Sequence, residues 1–569
     1  MLADGLYVSE NDFFILSESG EKTYPESSET SGETFATRYP SGIVTTFLSG
    51  CGFRQIYEGE RPVSGVGFSL RVSKRHFSII VPAWNGVRLS ADHPLFWTGW
   101  TDHVEYGQND LQMQMLLIEG KNGGFVVMTR DEGTFYKSFY VADGGDSFIL
   151  TVVSSPAAPF DSIMYFDTGE WSISKYTGDW TQGAEIYKRY VEGKRSEHGV
   201  SKPLWAGNIR LFFLTDLWCD REQIKVLSRF IDPHRVLLHV PGWRVEPYDI
   251  NLPDYTPKPH TADYISFAQG MGYRVQLHFN MNGFQQEKPD FPSLARYQVR
   301  NAYSGESVYA EYTADGVHVK FAQMNPASAE WRAYITDKIC EAVRKTGCDS
   351  AHLDESLFAR NDRAGLTDGL TPIQGNVVYH RELKEKLGSD IALGGEGITD
   401  FNAIYGTFMQ SHVYGVDPPR PFNPAMQSQI VPLTAFVFDD NIVPYHWPGY
   451  PASKNESEFL EWHIAGETSG LTATIMRDGA SEISDPSNLA IRAVISEANY
   501  LGDNGAKRRF EGLGGDILMR YSLENGRIAA FVKNGSKYVF LKDEEDTDSA
   551  LYEIEAGNDG LLHMKGLGQ

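Results

Sequence analysis

The sequence has few cysteines and a deficit of basic residues, and each shortage excludes a class of protein. Its 569 residues include four widely spaced cysteines without a CxxC motif, namely Cys51, Cys219, Cys340 and Cys348. We therefore predict buried free thiols rather than a disulfide scaffold or a zinc site. Lysine and arginine number 51 against 75 acidic residues, a formal net charge of −24. Such a chain does not favour nucleic acid or an anionic membrane surface as a partner.

Long apolar runs are also missing. The longest, "IVPLTAFVF", falls well short of the roughly 20 residues that span a bilayer, and we interpret it as a strand. The opening "MLADGLYVSENDFF" has neither a basic n-region nor an apolar h-region, so we predict no signal peptide in this sequence. We expect a soluble protein, either cytoplasmic or secreted with its signal removed.

Several catalytic motifs are absent too. There is no GxSxG before a helix, no Walker A loop, no GxGxxG between strand and helix, and no HExxH. These absences argue against an α/β-hydrolase, a nucleotide-binding protein and a zinc metalloprotease.

The patterns that are present divide the chain into four parts. Residues 1–178 contain alternating segments such as "GFSLRVSKRHFSIIVPAW" and "DSFILTVVSS" between turn residues, which predict an N-terminal β-sandwich. Residues 179–204 contain a linker helix with Ala184, Tyr187 and Val191 on one face. Residues 205–505 alternate strands with helices, and residues 506–569 return to short strands, which predict a small C-terminal β-domain.

The central part predicts a (β/α)₈ barrel. Eight apolar segments alternate with amphipathic ones over about 300 residues. We assign them as the barrel strands: "NIRLFFLTD", "RVLLHVPGW", "YRVQLHFNMNG", "DSAHLDES", "DIALGGEG", "FMQSHVYGVD", "TAFVFDDNIVPY" and "LTATIMRD". Before the fourth strand, a helix is expected to start at Asn325-Pro326 and to stop at Gly347.

Polar or aromatic residues stand at the ends of seven of these strands, where barrel enzymes have their active sites. Packing several carboxylates there costs free energy unless a substrate, a cation or a hydrogen-bond network offsets it. A solvated rim accounts for any single residue but poorly for the whole set. In strand order the set comprises Asp216, Trp243, His278 with Asn280, Asp354, Glu396, Asp417, and Asp439 with Asp440.

Paired carboxylates on neighbouring barrel strands indicate glycoside hydrolysis. One carboxylate attacks the anomeric carbon and a second carboxyl protonates the leaving oxygen; a separation of about 5–5.5 Å implies retention. We predict Asp354 as the nucleophile and Glu396, among glycines, as the acid/base, with the pKa of Glu396 raised by the nearby Asp354. Glu355 competes for the first role, but successive strand residues face opposite sides, so only one of the two should face the mouth.

Other residues are candidates for sugar contacts, each with a structural alternative. Trp243 could stack on a sugar ring or pack under a loop, loop carboxylates could bind hydroxyls or be solvated, and buried histidines could line the site or be core residues. His352, deeper in the barrel than Asp354, could be such a core histidine. The predicted substrate-binding set is Trp243, Asp249, Asp254, His278, Asn280, Asp440 (or Asp439), His446 and Trp447.

Four motifs, "PGWRVEPYDINLPDYTP", "HLDES", "GGEG" and "VPLTAFVFDD", resemble glycoside hydrolase families 101 and 129. The resemblance implies a mutarotase-like β-sandwich before a catalytic barrel, and a retaining mechanism on an α-linked galacto-configured sugar. The sugar would be an α-N-acetylgalactosaminide, an α-galactoside or an anhydrogalactoside. It also implies Asp354 as nucleophile and Glu396 as acid/base. No cofactor is required. A structural calcium is compatible with the resemblance, although no EF-hand-like loop is present and no ligands are assigned.

Alternatives from other classes stay open at this point. The barrel could be catalytically silent and serve as a carbohydrate-binding or scaffold protein, or the pair could be about 6.5–9.5 Å apart and support inversion. The oligomeric state is open between a monomer and a homodimer.

Overall fold

The computed structural model describes residues 5–7, 12–93, 103–107, 111–215, 221–245, 249–314, 317–413, 428–446, 455–476 and 488–568. Predictions that fall on Asp216, Cys219, Asp417 and Trp447 lie outside the described residues.

The described residues up to Thr177 form two antiparallel sheets that share one buried core. The sheets are joined at Trp171, whose indole N–H donates to the Ser154 hydroxyl at 3.0 Å across the core. One sheet contains the strands Leu6–Tyr7, Phe13–Ser17, Lys22–Thr23, Val63–Ser73, His103–Glu105, Tyr136–Asp143 and Ser147–Ser155. The other contains Ser27–Ser31, Thr34–Tyr39, Gly42–Ser49, Gly52–Gly59, Phe77–Val81, Val87–Leu89, Met115–Gly120, Gly123–Thr129 and Tyr165–Thr177.

A long helix, Trp180–Glu197, leads from these sheets toward the barrel. Asp179 caps it, and a reciprocal bond from Gln182 completes a capping box. Ala184, Tyr187 and Val191 are buried, so the apolar face predicted from the sequence is confirmed.

Eight parallel strands form the predicted barrel, which is nearly closed. Strands β1 to β7 are hydrogen-bonded in sequence order, and β8 pairs with β1. On the remaining side, Tyr445 of β7 bridges Thr472, whose N–H donates to the carbonyl of Pro444 at 2.7 Å. The strands are β1 (Leu211–Leu214), β2 (Val236–Val240), β3 (Arg274–Asn280), β4 (Ser350–Asp354), β5 (Ala392–Glu396), β6 (Phe408–Ser411), β7 (Val443–His446) and β8 (Ala473–Met476).

Helices surround the barrel strands. The helix before β4 begins after Ser328, whose hydroxyl accepts from the N–H of Trp331, rather than at Asn325. It ends at Gly347 in the left-handed conformation, φ 71°, as predicted. The described helices in this part are Arg221–Leu227, Thr261–Gly270, Phe291–Leu294, Ala329–Thr346, Pro372–Leu387, Leu433–Phe438, Glu456–Thr468 and Leu489–Asp503.

The seventh strand differs from its prediction. The segment "LTAFVF" is the helix Leu433–Phe438, and β7 begins only at Val443. A short apolar run fits a buried helix as well as a strand, and the sequence pattern does not separate the two. Asp439 and Asp440 therefore precede β7 instead of ending it, which places them at the opposite end of the strand from the mouth.

Two further sheets flank the barrel. An insertion between β3 and β4 forms a three-stranded sheet of Gly283–Phe284, Tyr309–Ala314 and Val317–Gln323. After the last helix, a six-stranded antiparallel meander contains Lys507–Arg509, Ile517–Ser522, Ile528–Asn534, Lys537–Leu541, Ala550–Ala556 and Leu562–Leu567.

Two sequence predictions about single features can be compared with the structure here. Cys340 and Cys348 are buried free thiols as predicted, but Cys51 is exposed because it lies at a hairpin turn. No described helix combines the length and the apolar character needed to cross a membrane.

Candidate active site

Asp354 and Glu396 occupy matching positions on neighbouring strands. Asn280 on β3 pairs in register with Asp354 on β4, and Leu353 pairs with Gly395 on β5. The next pair in that register is Asp354 and Glu396. Neighbouring strands lie about 4.8 Å apart, and side chains at matching positions point to the same side. The three side chains therefore form one row across the end of the barrel.

Asp354 is held by two side chains of β3. The Asn280 amide donates to Asp354 Oδ2 at 3.2 Å, and His278 Nε2 lies 3.7 Å from the same oxygen. The side chain of Asp354 keeps 13% of its surface exposed, so it remains accessible at the mouth. Burial first, and then the carboxylates of Glu396 and Asp249, raise the pKa of Asp354 well above its ordinary value.

Glu396 has different partners. The backbone N–H of Glu355 donates to its Oε2 at 3.0 Å, and His412 Nε2 lies 3.4 Å from its Oε1. Burial alone would raise the pKa of Glu396, but the bond and charge of His412, together with that N–H, outweigh burial and lower it. The predicted raised pKa of Glu396 was therefore wrong for the free protein, because the sequence showed the neighbouring aspartate but not these donors.

Glu355 is buried beside the pair, although strand alternation would turn it away. Strand β4 ends at Asp354, and Glu355 has a left-handed backbone with φ 59°. Because Glu355 lies outside the strand, the alternation of strand faces does not determine the direction of its side chain. Gln323, from the inserted sheet, donates to Glu355 Oε1 at 3.0 Å. Burial, Asp354 and Glu396 raise the pKa of Glu355 well above its ordinary value.

Three histidines form a layer beneath the pair, inside the barrel. The His239 and His278 rings each lie 5.0 Å from the ring of His352, centre to centre. Burial lowers the pKa of His239 to about 3, that of His278 to about 4, and that of His352 well below its ordinary value. The imidazoles are neutral at pH 7, and His352 is fully buried, deeper in the barrel than Asp354 as predicted.

The N-terminal sheets supply part of this site, which the sequence did not reveal. In the turn after Phe77–Val81, the Asn85 amide donates to the His412 carbonyl at 2.7 Å and accepts from the Ser411 hydroxyl at 2.6 Å. Trp84 contacts the His412 ring edge-on at 5.7 Å. The sequence did contain a turn signal, the Asn-Gly pair in "AWNG". In the structure Trp84, Asn85 and Gly86 all have positive φ angles, of 52°, 73° and 125°.

The two loop aspartates predicted to bind sugar have different surroundings. Asp249 is buried; Arg244 lies 3.4 Å from its Oδ1, and the Tyr312 hydroxyl donates to its Oδ2 at 2.5 Å. The charge of Asp249 raises the pKa of Asp354, so Asp249 lies near the carboxylate pair. Asp254 accepts from Thr256 and lies 3.4 Å from Lys288. Thr256 lies in the same loop and Lys288 follows β3, so neither contact involves the carboxylate pair, and a sugar-binding role of Asp254 stays a prediction.

Two other predicted sugar contacts, Trp243 and His446, are corrected. Trp243 is fully buried between Tyr255 and Phe279, and its N–H donates to the His278 carbonyl at 2.8 Å. His446 is buried and lies parallel to Trp462 of the helix Glu456–Thr468, at 6.5 Å, on the outer side of β7.

Asp440 and Asp439 form ion pairs away from the mouth. Asp440 pairs with Lys188 of the long helix at 2.7 Å, and Asp439 pairs with Arg508 of the C-terminal sheet at 2.8 Å. Of the predicted substrate-binding residues, the structure thus brings His278, Asn280 and Asp249 to the pair.

The cluster of possible metal ligands at Asp354 does not suit calcium, and the structural calcium, for which the sequence assigned no ligands, stays a prediction. Calcium takes six to eight oxygen ligands, whereas the cluster that the structure describes there has two imidazoles and one carboxylate, from His278, His352 and Asp354.

Solved structures with a similar fold cover nearly the whole chain. An α-N-acetylgalactosaminidase, NagBb from Bifidobacterium bifidum, is 14% identical with a TM-score of 0.68, over 93% of this chain and 97% of its own. A GH31 sulfoquinovosidase from E. rectale is 11% identical with a TM-score of 0.56, over 95% and 87%. An α-galactosidase from Thermus thermophilus, TtGalA, is 14% identical with a TM-score of 0.52, over 90% and 97%. At these identities the likeness shows a shared fold, as the resemblance implied.

Sequence comparisons are less specific. Residues 165–447 match a family model described as a domain of unknown function, DUF6259. No curated protein matches the chain.

Proposed function

We propose that this chain is a retaining glycoside hydrolase that cleaves an α-linked galacto-configured sugar. The observation that carries the proposal is the row on β3, β4 and β5, in which Asp354 and Glu396 occupy adjacent, matching positions at the mouth of the barrel. Strand spacing of about 4.8 Å suits the short carboxyl separation of a retaining enzyme rather than the longer one of an inverting enzyme.

Asp354 is the proposed nucleophile. Asn280 bonds its Oδ2, which fixes the carboxylate and leaves the other oxygen for the anomeric carbon. In the first step Asp354 bonds to that carbon while the glycosidic bond breaks and Glu396 protonates the departing oxygen. In the second step Glu396 takes a proton from water, whose oxygen displaces Asp354 and gives a product of unchanged anomeric configuration.

The pKa shifts of the free site are opposite to those that the first step needs. The pKa of Asp354, the proposed nucleophile, is raised by burial and by nearby carboxylates, whereas the pKa of Glu396, the proposed acid, is lowered by His412 and the Glu355 N–H. Substrate binding has to favour the protonated form of Glu396 and the ionised form of Asp354. A leaving oxygen that accepts a hydrogen bond from protonated Glu396 favours this shift, and so does positive charge that develops at the anomeric carbon beside ionised Asp354.

The substrate class rests on two further supports. The motifs resemble families of α-N-acetylgalactosaminidases, and two of the similar folds belong to proteins named as an α-N-acetylgalactosaminidase and an α-galactosidase. Asp249, held by Arg244 and Tyr312 near the pair, is a proposed ligand for sugar hydroxyl groups.

A panel of aryl glycosides tests the proposal. It should contain α- and β-linked galactosaminide, galactoside, glucoside and fucoside, with the first-formed product anomer followed by NMR. We expect turnover of an α-galacto-configured member with the α-anomer released first. A β-anomer released first would indicate inversion, turnover of β-glycosides alone would contradict the substrate class, and binding without any turnover would favour a silent, carbohydrate-binding barrel.

A further inference from the structure

Asp354 belongs to a cluster of three possible metal ligands, and its two other members, His278 and His352, have no part in the proposed reaction. His278, His352 and Asp354 each offer one ligand atom, and the three atoms lie within 4.8 Å of one another. His278 Nε2 and Asp354 Oδ2 are already 3.7 Å apart. Zinc bonds of about 2.0–2.1 Å in a tetrahedral site place ligand atoms roughly 3.3 Å apart. Side-chain rotations that close the cluster by about 1.5 Å or less would therefore complete three ligands.

The unused nitrogen of His352 is the second observation. His352 is fully buried, and its Nε2 has no hydrogen-bond partner among the residues that the structure describes. A buried polar atom without a partner destabilises the folded state, and such an atom requires an explanation. Nδ1 of the same ring lies 3.2 Å from the Tyr445 hydroxyl. If Nδ1 carries the proton and donates it to Tyr445, Nε2 presents a lone pair, as in metal-bound histidines.

The donor set selects the class of ion. Two neutral imidazoles and one carboxylate suit divalent first-row transition metals such as zinc, whereas calcium and magnesium prefer oxygen ligands throughout. The partners of the three ligands also fit, because Tyr445 orients His352 and Asn280 orients Asp354.

We propose that His278, His352 and Asp354 bind a divalent transition-metal ion of the zinc class at the barrel mouth. The ion would bind Asp354 Oδ2, next to the oxygen that attacks the sugar, and would occupy space at the mouth that the sugar needs. Zinc is therefore expected to inhibit turnover in competition with the substrate, and this consequence, unlike the site itself, rests on the proposed function.

Binding is tested first, without reference to activity. The intact protein, treated with a chelator and then dialysed, is titrated with Zn²⁺ in a calorimeter, and with Co²⁺ while its visible d–d absorption is recorded. We expect one tight equivalent and an intense, tetrahedral-type cobalt spectrum. His352→Gln should weaken zinc binding at least about 100-fold. His380→Gln should not, since His380 is an equally buried histidine whose Nδ1 bonds the Asn376 carbonyl outside the cluster.

Several outcomes would overturn the site. Equal binding by the wild type and His352→Gln would assign zinc to exposed pairs such as His318–Glu311 or His563–Asp559. Displacement of Zn²⁺ by millimolar Ca²⁺ would contradict the ion class. If His352→Gln fails to fold, Asp354→Asn provides the same test, because an amide is a poor replacement for the carboxylate ligand.

The activity arm separates the two proposals. Zinc should raise KM for an aryl α-galactoside and leave kcat unchanged, and a chelator should reverse the effect. Tight binding at His352 without inhibition would refute the competitive consequence. Tight binding in a protein that turns over no glycoside would support the metal site and refute the proposed function.

Discussion

The Asn85 amide, in a turn of the N-terminal sheets, donates a hydrogen bond of 2.7 Å to the backbone carbonyl of His412 at the end of β6. The His412 ring lies 3.4 Å from Glu396. A turn distant in sequence thus fixes a residue that contacts the proposed acid/base. Because this bond crosses from the N-terminal sheets to the barrel, the sheets act as a part of the site and not only as a neighbouring module.

Removal of the hydrogen bond from Asn85 to the His412 carbonyl should impair the reaction rather than the fold. Asn85→Gly is the suitable change, because glycine tolerates the left-handed backbone at this position, φ 73°. Loss of a hydrogen bond worth about 1 kcal/mol should lower kcat about fivefold with little change in KM. Steady-state kinetics on an aryl α-galactoside measure both constants.

Asn361→Ala is the matched control for Asn85→Gly. Asn361 is also a buried asparagine, and it also joins the barrel to the N-terminal part, by accepting from the Ala158 N–H and donating to the Pro156 carbonyl. It should lower the unfolding temperature and leave kcat unchanged. An equal loss of kcat in both variants would mean that the effect is general loosening of the interface.

Asp354→Asn should abolish turnover while the protein stays folded and still binds galactose or N-acetylgalactosamine. The amide preserves shape but cannot attack the anomeric carbon, so kcat should fall by about 10⁴-fold or more. Calorimetry with the free sugar and circular dichroism check binding and folding. Activity like that of the wild type would remove Asp354 from the mechanism.

Glu396→Ala should lose most activity and regain part of it with azide. Without the acid/base, the glycosyl-enzyme cannot activate water, but azide attacks without base assistance. NMR should identify an α-glycosyl azide, which retains the configuration of the substrate. A β-azide would show direct displacement and would contradict the double displacement at Asp354.

Two buried carboxyls under the C-terminal sheet should make stability depend on pH. Burial and the charge of Glu497 raise the pKa of Glu467 to about 8, and burial raises that of Glu497 to about 7. Tyr521 and Tyr552 donate to them at 2.5 Å each. Between the unfolded pKa near 4.5 and pH 8 the folded state holds more protons than the unfolded state, so stability falls as pH rises through this window.

Glu467→Gln should flatten that pH dependence, because the amide stays neutral. We expect its unfolding temperature, measured by calorimetry, to exceed that of the wild type by roughly 2 °C or more at pH 9. At pH 5, where the wild-type pair is protonated, the difference should vanish. An equal difference at both values would mean that the change acts through packing.

Asp440→Asn should leave kcat/KM within about twofold of the wild-type value. Its side chain is 68% exposed and pairs with Lys188 on the long helix, and such surface pairs contribute about 0–1 kcal/mol. A tenfold loss would return Asp440 to the site that the sequence predicted for it. Kinetics on the same aryl glycoside provide the comparison.

The sequence by itself determined most of the elements, although not the bounds of the seventh strand, and the central pair. The β-then-α rhythm after residue 205 established the barrel, because strand and helix periods differ and parallel strands need crossover helices. The ends of β4 and β5 then placed Asp354 and Glu396 side by side. Because side chains alternate between the two faces of a strand, His278 and Asn280 were also expected on one face of β3.

Tertiary structure alone decided the partners of these residues. The turn at Asn85 lies far along the chain from His412, and no local pattern encodes that contact. The pKa direction of Glu396 follows from His412 and the Glu355 N–H. Trp243, His446 and Asp440 looked suitable for a pocket, but their orientation depends on which neighbours pack against them. Residue type and strand position fix where a side chain starts, and long-range packing fixes what it touches.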